Sequence, residues 1–215
     1  HGYRSHFDHK TEVAEPGYYK VLLDEYRITA ELTATEHVGF HRYTFPQNNQ
    51  SRVILDIGNK QGESGEVKDA SVRMIDDTHF EGSVTTYPKY IKSDDPKGQI
   101  TMYFWGETSQ KPIKTGSFNA EGISRNSISA KGKGAGLFLE YNTAEGAVVE
   151  MKVGLSYTST ENAKRNLEAE ATGLSFDQAK ARAQKVWEQE LGKIYVEGTD
   201  KNNKVKFYTG LFHGL

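Results

Sequence analysis

The stretch Ile28-Thr29-Ala30-Glu31-Leu32-Thr33-Ala34 constrains the fold more than any other part of the chain. Its even positions are apolar and its odd positions polar, the period of two that gives a strand one dry and one wet face. Slipping the pairing by one residue would expose the whole apolar set, so the pattern fixes register as well as conformation. It places Ile28 and Leu32 inside. Upstream, Pro16-Gly17 and Asp24-Glu25 supply turn chemistry on either side of Tyr18 to Leu23, a short run rich in Tyr, Val and Leu. Ser5 to Glu12 reads as a further strand before it, and the short connections make the whole an antiparallel meander.

The β pattern continues downstream. Val53 to Ile57 is a continuous apolar run suited to the middle of a sheet. Val67 to Ile75 and His79 to Tyr87 read as a strand pair joined at Asp76-Asp77-Thr78, and Ile100 to Trp105 is strongly β by composition. Gly58 to Gly65 is turn-rich and Tyr90 to Gly98 is a polar excursion. Weaker strands follow at Ile113 to Phe118 and Gly122 to Ser129, then clearer ones at Leu137 to Tyr141 and Val148 to Tyr157. Gly132 to Gly136 superficially matches a phosphate-cradling loop, but no Gly-Lys-Ser/Thr follows and the next segment is a strand, so it reads as a hairpin turn. Turn signals about every ten residues argue for two packed sheets rather than alternating strands and helices. The expectation is a mainly β chain, a two-sheet antiparallel β-sandwich over residues 1–158 with C-terminal linker helices, and Val53, Leu55 and Phe104 in its core.

Composition changes near Ser159. Glu161 to Ala171 carries a thin apolar stripe, Ala163, Leu167 and Ala171, and stops at Gly173. Ser175 and Gln178 fit a capping box, after which Phe176, Ala179, Ala183, Trp187 and Leu191 recur at helical spacing up to Gly192. Residues 159–198 thus read as a helical linker, with Ile194 to Gly198 extended. Asn203 to Leu215 starts another helix whose apolar residues Val205, Tyr208, Leu211, Phe212 and Leu215 run to the last position. That pattern, and an opening at His1 with no leader, leads us to expect a piece of something longer. Its unpartnered last helix is expected to fray or to self-associate.

Several classes of function and site fall away. A net charge of −2 with no clustered basic face gives no reason to expect nucleic acid as a partner, and no run approaches the roughly 18 apolar residues of a membrane span. With no Cys there are no disulfides, thiolate metal sites or cysteine nucleophiles. His6, Asp8, His9 and Glu12 have metal-ligand chemistry, but on a strand they divide between two faces, so no metal site is assigned there. His37 and His41 lie four strand residues apart, roughly 13 Å, too far to share a metal. Carboxylates are plentiful, and neither Asp76 with Asp77 nor Asp94 with Asp95 has independent support as an acid–base pair, so no catalytic residue is assigned. Aromatic rings offer flat faces on which a ligand can stack, which makes Tyr87, Tyr90 and Trp105 the substrate-binding candidates. Trp105 also suits a core position, and Trp187 lies on the stripe of its helix and reads as packing.

Ser5 to His9, Pro16 to Tyr19, Glu31 to Thr35 and Arg42 to Pro46, taken in order, resemble the opening of the N-terminal domain of glycoside hydrolase family 92, the calcium-dependent exo-acting α-mannosidases. Phe207-Tyr208-Thr209-Gly210-Leu211-Phe212-His213 is similar to the motif that opens the family's (α/α)₆ barrel, departing from it at Gly210 and Phe212. The resemblance implies a non-catalytic sandwich of an inverting exo-α-mannosidase, of α-1,2 type, acting on mannose-containing glycans. It implies residues 199–215 as the start of a catalytic barrel, with catalytic residues and Ca²⁺ ligands elsewhere in that barrel, so that this chain is inactive alone and binds no cofactor itself. A periplasmic or secreted location is implied in the same way. The alternative is an independent carbohydrate-binding module, which would need an exposed aromatic platform.

Overall fold

A computed structural model describes residues 4–60, 65–91 and 94–215. The chain starts with β1 (Val13–Glu15), β2 (Tyr18–Leu23), β3 (Ile28–Ala34) and β4 (Val38–Phe45), an antiparallel meander along one end of a large sheet. It crosses to a smaller sheet at β5 (Asn48–Asp56) and returns through β6 (Glu66–Met74), β7 (His79–Tyr87) and β8 (Ile100–Thr108). The smaller sheet gains β9 (Lys114–Asn119) and β10 (Gly122–Ser124), the larger gains β11 (Ser129–Lys131), and β12 (Gly136–Thr143) and β13 (Ala147–Ser156) complete the two in turn. Among the described residues the larger sheet has nine strands in the order β1-β2-β3-β4-β13-β8-β7-β6-β11, and the smaller has four in the order β10-β9-β12-β5. All pairings are antiparallel. The two-sheet sandwich read from the alternation is what forms.

Two apolar layers hold it. Between the sheets, Phe45, Val72, Phe80, Phe104, Leu137, Leu139 and Val149 are buried together, each worth about 1.5–3 kcal/mol of transfer free energy. On the other face of the large sheet lie α1 (Thr160–Ala171) and α2 (Phe176–Leu191), where Tyr18, Val38, Phe40, Leu167, Ala171, Phe176 and Ala179 form a second cluster. The sequence stripe of α1 is its buried face. A Cβ on Gly154 would sit 2.3 Å from the Ala163 carbonyl oxygen, so glycine there lets α1 lie directly on β13. Ser159 caps α1, and Ser175 with Gln178 makes the capping box of α2. The third helix, α3 (Lys201–Gly214), buries no residue. No helix among the described residues is long and apolar enough to cross a membrane.

Four sequence expectations give way. The Val53 to Ile57 run, expected in the middle of a sheet, lies at an edge, because β5 is the last strand of the four-stranded sheet and Ile54 is 37% exposed. Ser5 to Glu12 is no strand: His9–Thr11 form a 3₁₀ turn. The Asp8 carboxylate accepts from the Lys10 amide at 2.9 Å and the Thr11 hydroxyl donates to the Asp8 carbonyl at 2.8 Å, so local bonds replace a ladder until Val13. Leu32 faces the expected side but is only half-buried. The four-stranded sheet does not reach it, while Thr33 on the opposite face is 7% exposed beneath α2 and donates to the Gly17 carbonyl at 2.7 Å. The wet face of β3 is thus covered because helices pack on it. Finally, Gly132 to Gly136 is not a hairpin turn: β11 and β12, which flank it, belong to different sheets, so the segment carries the chain across the sandwich. Residues 1–3, and parts of the Gly58 to Gly65 and Tyr90 to Gly98 segments (61–64 and 92–93), lie outside the described residues.

Candidate functional site

Alternation along β4 sends Val38, Phe40 and Arg42 to the helical side of the large sheet. Arg42 is mostly buried and gathers three carboxylates. Its Nε donates to Glu150 at 2.7 Å, its two terminal nitrogens donate to Asp177 at 3.0 and 3.1 Å, and Glu31 lies 4.0 Å away. The guanidinium also stacks on the Phe176 ring at 4.2 Å. Hydrogen bonding to Asp177 holds the Arg42 pKa above its ordinary value, and the same bond holds the Asp177 carboxyl below its own. Beside it the Tyr18 hydroxyl donates to Glu31 at 2.7 Å, and burial, followed by that bond, pushes the phenol up. Lys180 of α2 sits 3.3 Å over the Tyr18 ring. The first turn of α2 is therefore locked to β2, β3, β4 and β13, which fixes the direction in which the rest of α2 leaves the sandwich.

At the far end of α2 this placement opens a groove of about 830 Å³. Pro16, Tyr19 and Leu32 line it from the sandwich, and Val205, Tyr208 and Phe212 from α3. Trp187 packs against Phe212 with centroids 4.6 Å apart and ring planes tilted by 50°, and the Tyr208 hydroxyl donates to the Ile194 carbonyl at 3.1 Å. Elsewhere on α3 Leu211 is half-buried, while Val205, Phe207 and Leu215 are exposed, Val205 at 56%. The lining of the groove is mainly apolar, with Glu15 as its one carboxylate among the described residues.

The candidate side chains named from sequence are dispersed. Trp105 is half-buried against the α1 layer with Lys164 4.8 Å above its ring. It pairs across the sheet with Glu81, six residues from Tyr87, or roughly 20 Å along β7. Tyr90, 68% exposed, stands on a separate 3₁₀ turn. The three do not form one sugar-stacking platform. His6 is held by Glu25, while His9 and Tyr19 hold Glu12 at 2.6 Å each. The Glu25 carboxyl is lowered to about 2 by Ser5 first and His6 second, and His6 is raised by its bond to Glu25. These are two separate pairs. His41 bonds the Tyr43 hydroxyl at 3.1 Å and its pKa is pushed down by burial, whereas His37 is tied to Glu170 at 2.6 Å.

Two features escaped the sequence reading. The Arg42 hub joins residues 108 and 135 positions apart, and Glu170 lies 133 positions from His37. The only local hint was a charged residue, Arg42, in an otherwise half-apolar strand. Among the described residues, Glu36, His37 and Glu170 are the group of three whose metal-ligating atoms converge, all within 4.8 Å. An imidazole and two carboxylates do not fit calcium, which takes six to eight oxygen ligands.

The family model described as the glycosyl hydrolase family 92 N-terminal domain matches residues 1–156, and that of the family 92 catalytic domain matches residues 162–215. The chain belongs to glycosyl hydrolase family 92. A family GH92 alpha-mannosidase from Bacteroides thetaiotaomicron superposes with a TM-score of 0.88 at 28% identity, covering 99% of this chain and 28% of that one. A family GH92 inverting mannosidase from strain VPI-5482 of the same organism shares the fold, with a TM-score of 0.82 at 20% identity over 96% of this chain and 26% of its own. An uncharacterized secreted glycosidase from Arthroderma benhamiae is 27% identical over 200 residues, 84% of this chain and 25% of that protein. The family 92 chain described here spans about a quarter of the length of these relatives.

Proposed function

We propose that this chain is the non-catalytic sandwich of an inverting exo-α-mannosidase of α-1,2 type, packing on a catalytic (α/α)₆ barrel and shaping its active site for mannose-containing glycans. Residues 1–158 are the sandwich, 159–198 the helical linker and 199–215 the opening of the barrel. The observation that carries this reading is the groove between the sandwich and α3, whose apolar walls have no cover within the described residues. The family match and the alpha-mannosidase superposition support the substrate class. The acid, the base and the calcium of the reaction belong to the barrel. A periplasmic or secreted location accords with the relative named as secreted.

The test is mannose release from α-1,2-mannobiose by this chain extended through a complete family 92 catalytic domain, with and without Leu32→Glu. Loss of turnover in the variant, with unchanged melting of the sandwich, is the expected result. Full activity in the variant would remove the groove from the account. Tight binding of mannose oligosaccharides by the present chain would instead favour an independent carbohydrate-binding module.

A further inference from the structure

We infer that Glu36, His37 and Glu170 form a zinc-type divalent cation site that ties the β3–β4 turn to the last turn of α1. The two pieces are already held in place. Thr35 donates its amide to the Val38 carbonyl at 2.9 Å, and Leu155 of β13 donates to the His37 carbonyl at 2.9 Å, so the turn is anchored on both sides. Glu170 comes from α1, whose last turn carries no basic residue. One oxygen of Glu170, Oε2, accepts from the Thr35 hydroxyl at 2.5 Å and from the His37 amide at 3.0 Å. The other, Oε1, faces His37 Nδ1 at 2.6 Å. The first oxygen is thus spoken for by orienting bonds of the kind that steer metal-ligating carboxylates, and the second is aimed at the imidazole.

Glu36 completes the set. Its carboxylate belongs to the group whose ligating atoms all lie within 4.8 Å of one another. Zinc bonds of about 2.0–2.2 Å place tetrahedral ligands roughly 3.5 Å apart, so His37 Nδ1 and Glu170 Oε1, now 2.6 Å apart, open by about an ångström while the exposed Glu36 side chain closes in from no more than 4.8 Å. The zinc takes the place of the proton between His37 Nδ1 and Glu170 Oε1 and releases it to solvent. Water fills the fourth position. One imidazole with two carboxylates selects a borderline ion such as zinc over calcium or magnesium. The neighbouring cation, Lys152, is committed to the Ala171 carbonyl at 3.1 Å and Glu107 at 3.2 Å.

Among the described residues, the other imidazoles do not join such a group of three. At His79 the carboxylates of Asp76 and Glu107 approach opposite ring nitrogens, at 2.8 and 3.9 Å, and cannot meet at one ion. His6 and His9 each have a single carboxylate partner.

The test is calorimetric titration of the tag-free, chelator-treated chain with zinc chloride, and separately with calcium chloride. One zinc per chain is expected, with a rise in melting temperature and no saturable calcium uptake at the same concentrations. Glu36→Gln, a substitution at an exposed side chain, is expected to weaken zinc binding by about tenfold or more while leaving the metal-free melting temperature unchanged, and His37→Ala is expected to abolish binding. Absence of saturable zinc binding would overturn the proposal. So would zinc binding that both variants retain, which would place the ion on another histidine.

Discussion

Arg42 illustrates how much one side chain decides. Removing it strips Glu150 and Asp177 of their guanidinium partner, unstacks Phe176 and takes away the cation 4.0 Å from Glu31. Asp177 is largely exposed, so its share is discounted for solvent screening. The half-buried Glu150 bond and the stack remain, and Arg42→Ala is expected to cost about 2–3 kcal/mol, read from urea midpoints. Glu170 gives a prediction in pH. Burial pushes its carboxyl up, but hydrogen bonds from Thr35 and His37 outweigh burial and hold its folded pKa below the ordinary 4.5. A depressed carboxylate contributes stability above its unfolded pKa and loses it as pH falls through the folded value. In chelator, the stability margin of the native chain over Glu170→Gln should therefore be wider at pH 7 than at pH 3. An equal margin at both would contradict the hydrogen-bonded state of that carboxylate.

At the scale of elements, the large sheet is built around two reciprocal pairs. Phe80 lies opposite Gly106 and Phe104 opposite Gly82. A Cβ on Gly106 would stand 2.2 Å from the Phe80 ring, so Gly106→Ala should cost about 1–3 kcal/mol through overpacking. Leucines separate the core from the groove: Leu139→Ala should cost about 2–5 kcal/mol and Leu32→Ala less than about 1.5, by denaturant unfolding of each. Most of these elements could be read in advance because their signals are local. Alternation marked β3, a capping box marked α2 and the Ala163-Leu167-Ala171 stripe marked α1. What could not be read depends on which layer covers which face. The burial of Thr33, the incomplete burial of Leu32 and the crossing at Gly132 to Gly136 all follow from layer placement, which a single strand does not encode. The Arg42 hub and the Glu36-His37-Glu170 group were illegible for the same reason: their members meet only after α1 and α2 have docked.

The whole molecule is a sandwich with an arm. Its arm, α3, leaves Val205, Phe207 and Leu215 exposed and buries nothing. We expect the chain by itself to self-associate through this surface or to exchange amide hydrogens rapidly along α3, and shortening to Gly198 to relieve both. Light scattering and hydrogen exchange on the two lengths check this. A monomer with a well-protected α3 would show that the helix is satisfied by its own sandwich. The central claim, that this chain shapes a mannosidase site without supplying the chemistry, is tested most directly by incubating the purified chain with α-1,2-mannobiose, with and without calcium. The account predicts no release of mannose above the buffer blank in either case. Reproducible, enzyme-dependent release would contradict it, because the chain would then contain the acid and base that the account assigns to the barrel.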